Sequence, residues 1–483
     1  MAHKQELPNI IVIIMDAAGA KHCSAYGHFR DTTPGMEKIA QEGVLYKHCF
    51  APAPWTIPSH ASLMSGLYSS EHGCDEKSIQ LPEVFYTLGE VLQSAGYRTV
   101  GISCNGLVSL RRGFEVFYEM DTLVFSERYH EGRMHMKSLK RKEDTSSDRF
   151  KNIIGYMKEN NYYSYPVHNI FDRLYRKFIV DIFKRSYNAT NRSLKIVKRL
   201  LQKYKNEKPL FIFMNLMDTH WQYNPPKNYH NIIKLDDKEM QQLMTFDPFY
   251  YFIQGISDDW KEKLTLLYEQ ELYFLDDRLY DLYRFLDEIG VKDRTMFAIT
   301  SDHGEFLGEH DLWGHYFSLY NELVHIPLVI KYPASVGLRG ESAHPVQLHD
   351  LYATVLELAG VPIPPPESSK SMLSDVREYA FAEHLNPSLG IAACRRRADD
   401  FQVKPFMQPC RCIIDRDLHK LLQWADGRLE LYDLKADYAE AHDLISRADQ
   451  QSRAGHLKQV MEENLGPFEA RDKHAGAGVS EHF

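Results

Sequence analysis

Three short apolar runs in this chain end in the same way. Ile10 to Met15 (IIVIIM) stops at Asp16, Leu210 to Met217 stops at Asp218-Thr219-His220, and Thr295 to Thr300 stops at Ser301-Asp302-His303-Gly304-Glu305. A continuous apolar run is the pattern of a strand buried on both faces of a parallel sheet. The C-terminal ends of such strands are where open α/β sheets place their sites. Further strands are predicted at Val44 to Phe50, Arg98 to Ser103 and His325 to Lys331. Helical spacing predicts helices over Met36 to Gln41, Val84 to Ala95 and Ser193 to Tyr204, and a long one over Leu264 to Ile289 with Leu267, Leu275, Leu279, Leu282 and Leu286 on its buried face. The alternation implies an α/β fold, a large mixed sheet sandwiched by helices.

Two stretches interrupt that alternation. From about 121 to 205 lysine and arginine outnumber acids about two to one, which reads as an inserted helical segment with a solvated basic face. Residues 227 to 263 form a polar, aromatic-bearing excursion suited to a lid. Pro362 to Pro366 is a proline-rich connector, and Tyr379 to Leu434 alternates short strands with turns. The expected organisation is a large domain over 1–366 and a smaller antiparallel-sheet subdomain over 367–483.

The chemistry gathers around Ala51 to Gly66, APAPWTIPSHASLMSG. Pro58-Ser59 reads as a turn and a helix is expected to open at Ala61, offering unpaired N–H groups and a positive dipole end to an anion in front of Thr56. Strand ends carrying Asp16, Asp218, His220, Asp302 and His303 would converge at one edge. Several uncompensated carboxylates repel one another in a small site, and a divalent metal is the usual remedy. Coordination would also lower the pKa of the Thr56 hydroxyl, a poor nucleophile by itself. His220 and His315 then remain for a second ion or for contact with the transferred group.

Composition narrows the partners. A net charge of -9 over 483 residues argues against general polyanion binding, so no nucleic acid is expected. Seven cysteines in no regular framework point to reduced thiols, and Cys410-Arg-Cys412 reads as strand cysteines sharing a face. The six-residue run IIVIIM is too short for a signal or membrane segment, so the expected location is cytoplasmic, with no transmembrane span. A homo-oligomer is left open.

The stretches PNIIVIIMD, TTPGMEKIAQEGV, WTIPSHASLMSG, NLMDTHWQY, TSDHGEFLGEHDLWGH, HDLYATVLELAG and DGRLELYDL resemble the sulfatase branch of the alkaline phosphatase superfamily over nearly the whole chain. The resemblance implies Thr56 as nucleophile and Asp16, Thr56, Asp302 and His303 as the first metal site. Sulfatases carry a formylglycine-forming cysteine or serine where this chain has Thr56, an arginine where it has His60, and often a lysine where it has His315. Threonine there is similar to phosphodiesterase and phosphotransferase relatives that attack phosphorus. Asn105 resembles an amide that some relatives use to hold a phosphate oxygen, His60 would orient the loop or assist the leaving group, and His220, His315 and Asp218 would serve a second ion.

The expected activity is metal-dependent hydrolysis of a phosphodiester or phosphonate-type monoester through a phosphothreonine intermediate. The substrate is expected to be a small-molecule, glycan-derived or lipid-derived phosphoester. One or two divalent ions are expected, zinc or manganese rather than calcium or magnesium, because Asp16 is followed by Ala17 and His303 adds a nitrogen ligand. The alternatives are a phosphotransferase, a sulfuric ester hydrolase and a non-catalytic binding protein of the same fold.

Overall fold

The three apolar runs are neighbours in one sheet. In the computed structural model, which describes residues 7–468 apart from 109, 121–150, 153, 156, 159–185, 230–231 and 363, they form β1 (Asn9–Met15), β5 (Leu210–Leu216) and β6 (Thr295–Thr300). Between and after them come β2 (Val44–Phe50), β3 (Arg98–Ser103), β4 (Val116–Glu119), β7 (Phe306–Leu307), β8 (Trp313–Gly314), β9 (His325–Ile326), β10 (Leu328–Lys331) and β11 (Gly340–Gln347). The sheet order is β11-β2-β10-β6-β1-β5-β3-β4, with β9 paired to β2 and with β7 and β8 forming a separate ribbon. β1 runs parallel to both β5 and β6, whereas β10 is antiparallel to β6 and β2, so the sheet is mixed.

β1 shows why its sequence is uniformly apolar. Ile10, Val12 and Ile14 pack into a core with the helices Thr56–Ser65, Leu88–Ser94 and Asp350–Leu358. Ile11, Ile13 and Met15 pack on the opposite face against Pro34–Glu42, Ser186–Tyr204 and Asp258–Glu288. Alternate side chains of a strand point to opposite faces, and here both faces are covered.

Several boundaries move from the expected ones, each for a local reason. The helix expected from Ala61 begins at Thr56. Pro58, read as part of a turn, sits in the first helical turn, where a missing N–H costs nothing. The helix expected over Val84 to Ala95 spans Leu88–Ser94, because Thr87 and Glu90 form a reciprocal capping box and Val84 and Tyr86 lie exposed ahead of it. Ser257 caps the long helix, so it starts at Asp258 rather than Leu264. The strand expected over His325 to Lys331 is broken between β9 and β10 by Pro327, which has no N–H to donate.

The 227–263 excursion contains the helices Asp237–Met244 and Pro248–Gln254. Of the basic insert, 121–150 and 159–185 lie outside the described residues.

The second sheet is antiparallel, β12 (Tyr379–His384), β13 (Cys410–Asp415), β14 (His419–Trp424) and β15 (Leu429–Asp433) in sequence order. One face packs on the helix Gln451–Leu465, the other joins the core that reaches Trp313 and Phe317 of the large unit. Cys410 and Cys412 share that second face, and all seven cysteines are free thiols. No described helix is long and apolar enough to cross a membrane.

Candidate active site

β6, β1 and β5 lie side by side, so their C-terminal ends deliver Asp302, Asp16 and the Asp218 turn to one edge. The Asp16 and Asp302 carboxylate oxygens and a His303 ring nitrogen lie within 4.8 Å of one another, and all three residues are fully buried. Each has a backbone or amide partner on one side and a vacant lone pair on the other. Asp16 Oδ2 accepts from Asn105 Nδ2 at 2.9 Å and from Asn215 Nδ2 at 3.0 Å, while its Oδ1 has no hydrogen-bond partner. Asp302 Oδ1 accepts from the N–H groups of Ala17 (3.2 Å) and His303 (3.0 Å), leaving Oδ2 unpartnered. His303 Nδ1 donates to the Gly304 carbonyl at 2.8 Å, which turns the lone pair of Nε2 toward the two acids.

Close backbone packing fixes this edge. A Cβ on Gly304 would meet the Glu322 carbonyl oxygen at 1.9 Å, so only glycine fits between His303 and Glu305. Ala17 takes a left-handed φ of 66°, which aims its N–H at Asp302. The Ser301 hydroxyl donates to the Met15 carbonyl at 2.6 Å and clamps the ends of β6 and β1 together.

Thr56 is the first residue of its helix, and Trp55 ahead of it provides no side-chain cap. The N–H groups of Thr56 and Ile57, ahead of Pro58 in the first turn, thus receive no cap from Trp55. Thr56 Oγ1 lies 3.4 Å from His303 Nε2 and 3.5 Å from Asn105 Nδ2, and its residue is 2% exposed. Ser59, one turn on, donates to the Asp302 carbonyl at 2.6 Å and ties the helix to β6. His60 points inward from the same turn. Its Nδ1 donates to the Thr56 carbonyl at 2.9 Å and lies 3.4 Å from Asp302 Oδ2, and its Nε2 sits 3.2 Å from Asn215 Nδ2. Both ring nitrogens thus have partners within the protein.

The remaining expected residues divide. The His315 ring stands 4.5 Å from that of His303 and 5.1 Å from that of His220, so these imidazoles do line the same edge. His220 Nδ1 donates to the Trp221 carbonyl at 2.8 Å, and His315 Nδ1 faces both oxygens of Glu305 at 3.4 Å. Asp218 turns elsewhere: its Oδ2 accepts from the Thr190 hydroxyl, and it is in none of the acid and imidazole groups that draw together among the described residues.

Burial acts on all these acids. It raises Asp16, but His220, His303, the Asn105 amide and His60 together hold that carboxyl below its ordinary value. Asp302 goes the opposite way, raised by burial and then by the facing Asp16 carboxylate. Burial pushes Glu305 up to about 7 and drives His315 well down, assisted by the neighbouring imidazoles. Two carboxylates that cannot both ionise alone, each aiming an orphaned oxygen at the same point beside an imidazole lone pair and a hydroxyl, are a donor set that fits a divalent cation.

Sequence reasoning missed Asn215 and Glu305. Asn215 had a signal, a lone polar residue inside the run LFIFMNLM, and it is fully buried on β5 opposite Ile14. Glu305 stands in the quoted SDHGE but was given no part; it is 2% exposed and backs His315.

Comparison with known proteins agrees with this architecture. A family model described as Sulfatase matches residues 8–361, and one described as N-sulphoglucosamine sulphohydrolase, C-terminal matches residues 308–465. An N-acetylglucosamine-6-O-sulfatase of Bacteroides thetaiotaomicron is 24% identical over 517 residues, covering 96% of this chain and 87% of that protein. The phosphonate monoester hydrolase of Agrobacterium radiobacter superposes with a TM-score of 0.66 at 19% identity, over 95% of both chains. A protein solved in complex with its substrate D-glucosamine-2-N,6-O-disulfate gives a TM-score of 0.61 at 19% identity, over 95% of this chain and 97% of that one.

Proposed function

This chain belongs to the sulfatase family, and from that premise we propose that it is a divalent-metal-dependent hydrolase of phosphate esters, above all phosphodiesters or phosphonate-type monoesters, acting through Thr56 and a phosphothreonine intermediate. The observation that carries this reading is a threonine hydroxyl 3.4 Å from His303 Nε2, in the stretch WTIPSHASLMSG, whose resemblance to sulfatases sets Thr56 against their formylglycine precursor. Oxidation of threonine would give a ketone, not the aldehyde that sulfate-ester hydrolysis uses. A hydroxyl deprotonated at neutral pH is instead a nucleophile toward phosphorus.

Among the described residues, burial and then imidazoles, amides and other carboxylates act most strongly on Asp16, Asp302 and Glu305. Such a surround suits a singly charged ester, a phosphodiester or a sulfate ester alike, better than a dianionic phosphate monoester.

In the first half of the reaction the bond from Thr56 Oγ1 to phosphorus forms as the bond to the leaving alcohol breaks, and the alcohol oxygen takes up a proton. In the second half water attacks phosphorus, the bond to Oγ1 breaks, and a water proton returns to Oγ1. Asn105 Nδ2 and the uncapped first-turn N–H groups stand ready to donate to the equatorial oxygens. Asp16, Thr56, Asp302 and His303 would hold a divalent ion, which supplies Lewis acidity and lowers the hydroxyl pKa. Zinc or manganese suits these ligands, and His220 and His315 with Glu305 would bind or orient whatever enters beside them. We place the division between the units after residue 366, and the free cysteines support a cytoplasmic location.

The rival reading is sulfuric ester hydrolysis, which the names of the relatives favour. A panel of p-nitrophenyl phosphate, phosphodiester, phosphonate and sulfate esters, assayed with zinc and with manganese, separates the two. Phosphodiester or phosphonate turnover is expected, lost by about 10³-fold or more in Thr56→Ala assayed at saturating metal. A preference for sulfate that survives Thr56→Ala defeats the proposal.

A further inference from the structure

Asn215 occupies an unusual place for an amide. It lies on β5, next to β1 and β3 and opposite Ile14 and Ser103, and is fully buried, with its Oδ1 lacking a hydrogen-bond partner among the described residues. A buried side-chain amide without partners is costly, so its hydrogen bonds decide what it is for. Its Nδ2 donates both ways, to Asp16 Oδ2 at 3.0 Å and to His60 Nε2 at 3.2 Å.

The orientation of that amide is not free. Asp16 Oδ2 already accepts from Asn105 Nδ2 at 2.9 Å and stands 3.0 Å from the Asn215 amide, so it faces Asn215 as an acceptor. The amide must turn its nitrogen, not its oxygen, toward Asp16. The same nitrogen then meets His60 Nε2, which has to accept, and the ring proton is confined to Nδ1. From Nδ1 it is donated to the Thr56 carbonyl at 2.9 Å. One line of bonds thus runs from the Asp16 carboxylate through Asn215 and His60 to the main chain of the nucleophile.

We infer that Asn215 and His60 are a positioning pair: Asn215 fixes the His60 tautomer and one Asp16 oxygen together, so that the Thr56 helix start and the Asp16 carboxylate are set in register with each other. Neither residue touches the reacting atoms. With Oδ2 of Asp16 taken by Asn215 and Asn105, only Oδ1 is presented to the site. With the first turn pinned from inside by His60, the Thr56 hydroxyl has one place to be. The arrangement also gives an imidazole at this position a use of its own: it donates from one nitrogen and accepts at the other, which a guanidinium, having no acceptor, cannot do.

The inference rests on the Thr56 reading only for its kinetic consequence; the effects on metal affinity and on the His60 ring stand without it. The test compares Asn215→Leu, which removes the donor at similar volume, with Asn215→Asp, which replaces it by an acceptor. Manganese and zinc affinities are measured by titration of the chelated full-length protein, and the His60 tautomer by ¹⁵N spectroscopy of histidine-labelled protein, assigned with His60→Gln. Asn215→Leu is expected to weaken metal binding by about 10–100-fold, the usual effect of losing a partner behind a ligand, and to release the single Nδ1–H form. Asn215→Asp is expected to weaken it further and to move the His60 proton to Nε2. Turnover of metal-saturated Asn215→Leu is expected to fall in kcat with KM little changed.

A folded Asn215→Leu with wild-type metal affinity and an unchanged His60 signal overturns the inference. If that variant does not fold, Asn215→Asp and His60→Gln decide: wild-type metal affinity in both overturns it equally. Loss of turnover in Thr56→Ala bears on the nucleophile alone, so the two readings fail by different results.

Discussion

Two buried clusters in this molecule are built from the same residue types and differ in what they leave over. Around Glu269, His22 Nδ1 and His28 Nε2 approach Oε1 at 3.1 and 3.0 Å, and Arg30 Nη1 donates to Oε2 at 2.8 Å. Around Asp16 there are again carboxylates and imidazoles, but among the described residues Asp16 Oδ1 and Asp302 Oδ2 have no hydrogen-bond donor, and no arginine or lysine is among their main electrostatic neighbours. Both groups could in principle hold a metal by ligand spacing. The first already contains its cation, the Arg30 guanidinium, seated on Glu269. The second is complete only when a cation arrives from solution. A third group, His310, Glu322 and Glu440, follows the first pattern, with Lys21 on Glu322 and Lys420 on Glu440. Ligand types, burial and orphaned oxygens do not by themselves identify a functional acid; whether a lysine or arginine is already seated on the carboxylates separates these groups.

Substitution can break this contrast most directly. Asp302→Asn should abolish high-affinity metal binding, with a larger loss than the about 10–100-fold typical of a residue behind a ligand, and should take phosphoester turnover with it. The metal-free variant should be no less stable than the metal-free wild type, because one of two facing carboxylates is gone. Glu269→Leu should do the reverse. Leaving His22, His28 and Arg30 without their acceptor should lower stability by about 3–5 kcal/mol in chemical denaturation, while turnover per folded, metal-loaded molecule stays near wild type. Loss of metal affinity in Glu269→Leu with stability preserved would erase the distinction.

The two clusters should also respond to pH with opposite sign. Glu269 is held down to about 2: burial opposes this, but the His22 and His28 bonds outweigh it. A depressed carboxyl contributes stability that is present above its ordinary 4.5 and lost as pH falls toward about 2. Asp302 is raised, so without metal the folded state holds its proton more tightly than the unfolded chain does. Its contribution is present below the ordinary 3.8 and is lost as pH rises through the raised value. Added manganese or zinc should cancel that alkaline loss and add about 2.7 kcal/mol at a hundred times Kd. Thermal scans of chelated and metal-loaded protein from acid to neutral pH test both limbs, and a metal-free protein that gains stability toward neutrality through Asp302 contradicts the second.

Much of this was legible in the chain and some was not, for identifiable reasons. β1, β5 and β6 follow from uninterrupted apolar runs, and Asp16, Asp302 and His303 follow from where those runs stop. The start of the Thr56 helix did not, because Pro58-Ser59 carries the same signal whether it makes a turn or the first turn of a helix. Asn215 was hidden because a single amide is averaged away in an apolar stretch, and its meaning lies in partners 199 and 155 residues away. Periodicity reports which face a residue belongs to, not which atom across the fold it meets.

Asp218 gives the smallest of these effects, and there two like patterns are followed by different partners. It follows β5 as Asp16 follows β1, yet its Oδ2 accepts from Thr190, on a helix from the far side of the basic insert, and burial raises its carboxyl to about 6. Asp218→Asn keeps an oxygen for the Thr190 hydroxyl and removes a charge that is expensive to bury. Metal affinity is therefore expected to stay within about twofold of wild type, well short of the about 10–100-fold seen for residues supporting a ligand. Stability is expected to shift with pH: a carboxyl raised from 3.8 to about 6 costs the wild type stability as pH rises through that window, so the asparagine variant should gain on it there and hold the gain at neutrality. Parallel denaturation of both proteins at pH 4 and pH 7 measures that gain. A tenfold or greater loss of zinc or manganese affinity in Asp218→Asn would instead return this residue to the metal-binding edge and enlarge the cluster around Asp16.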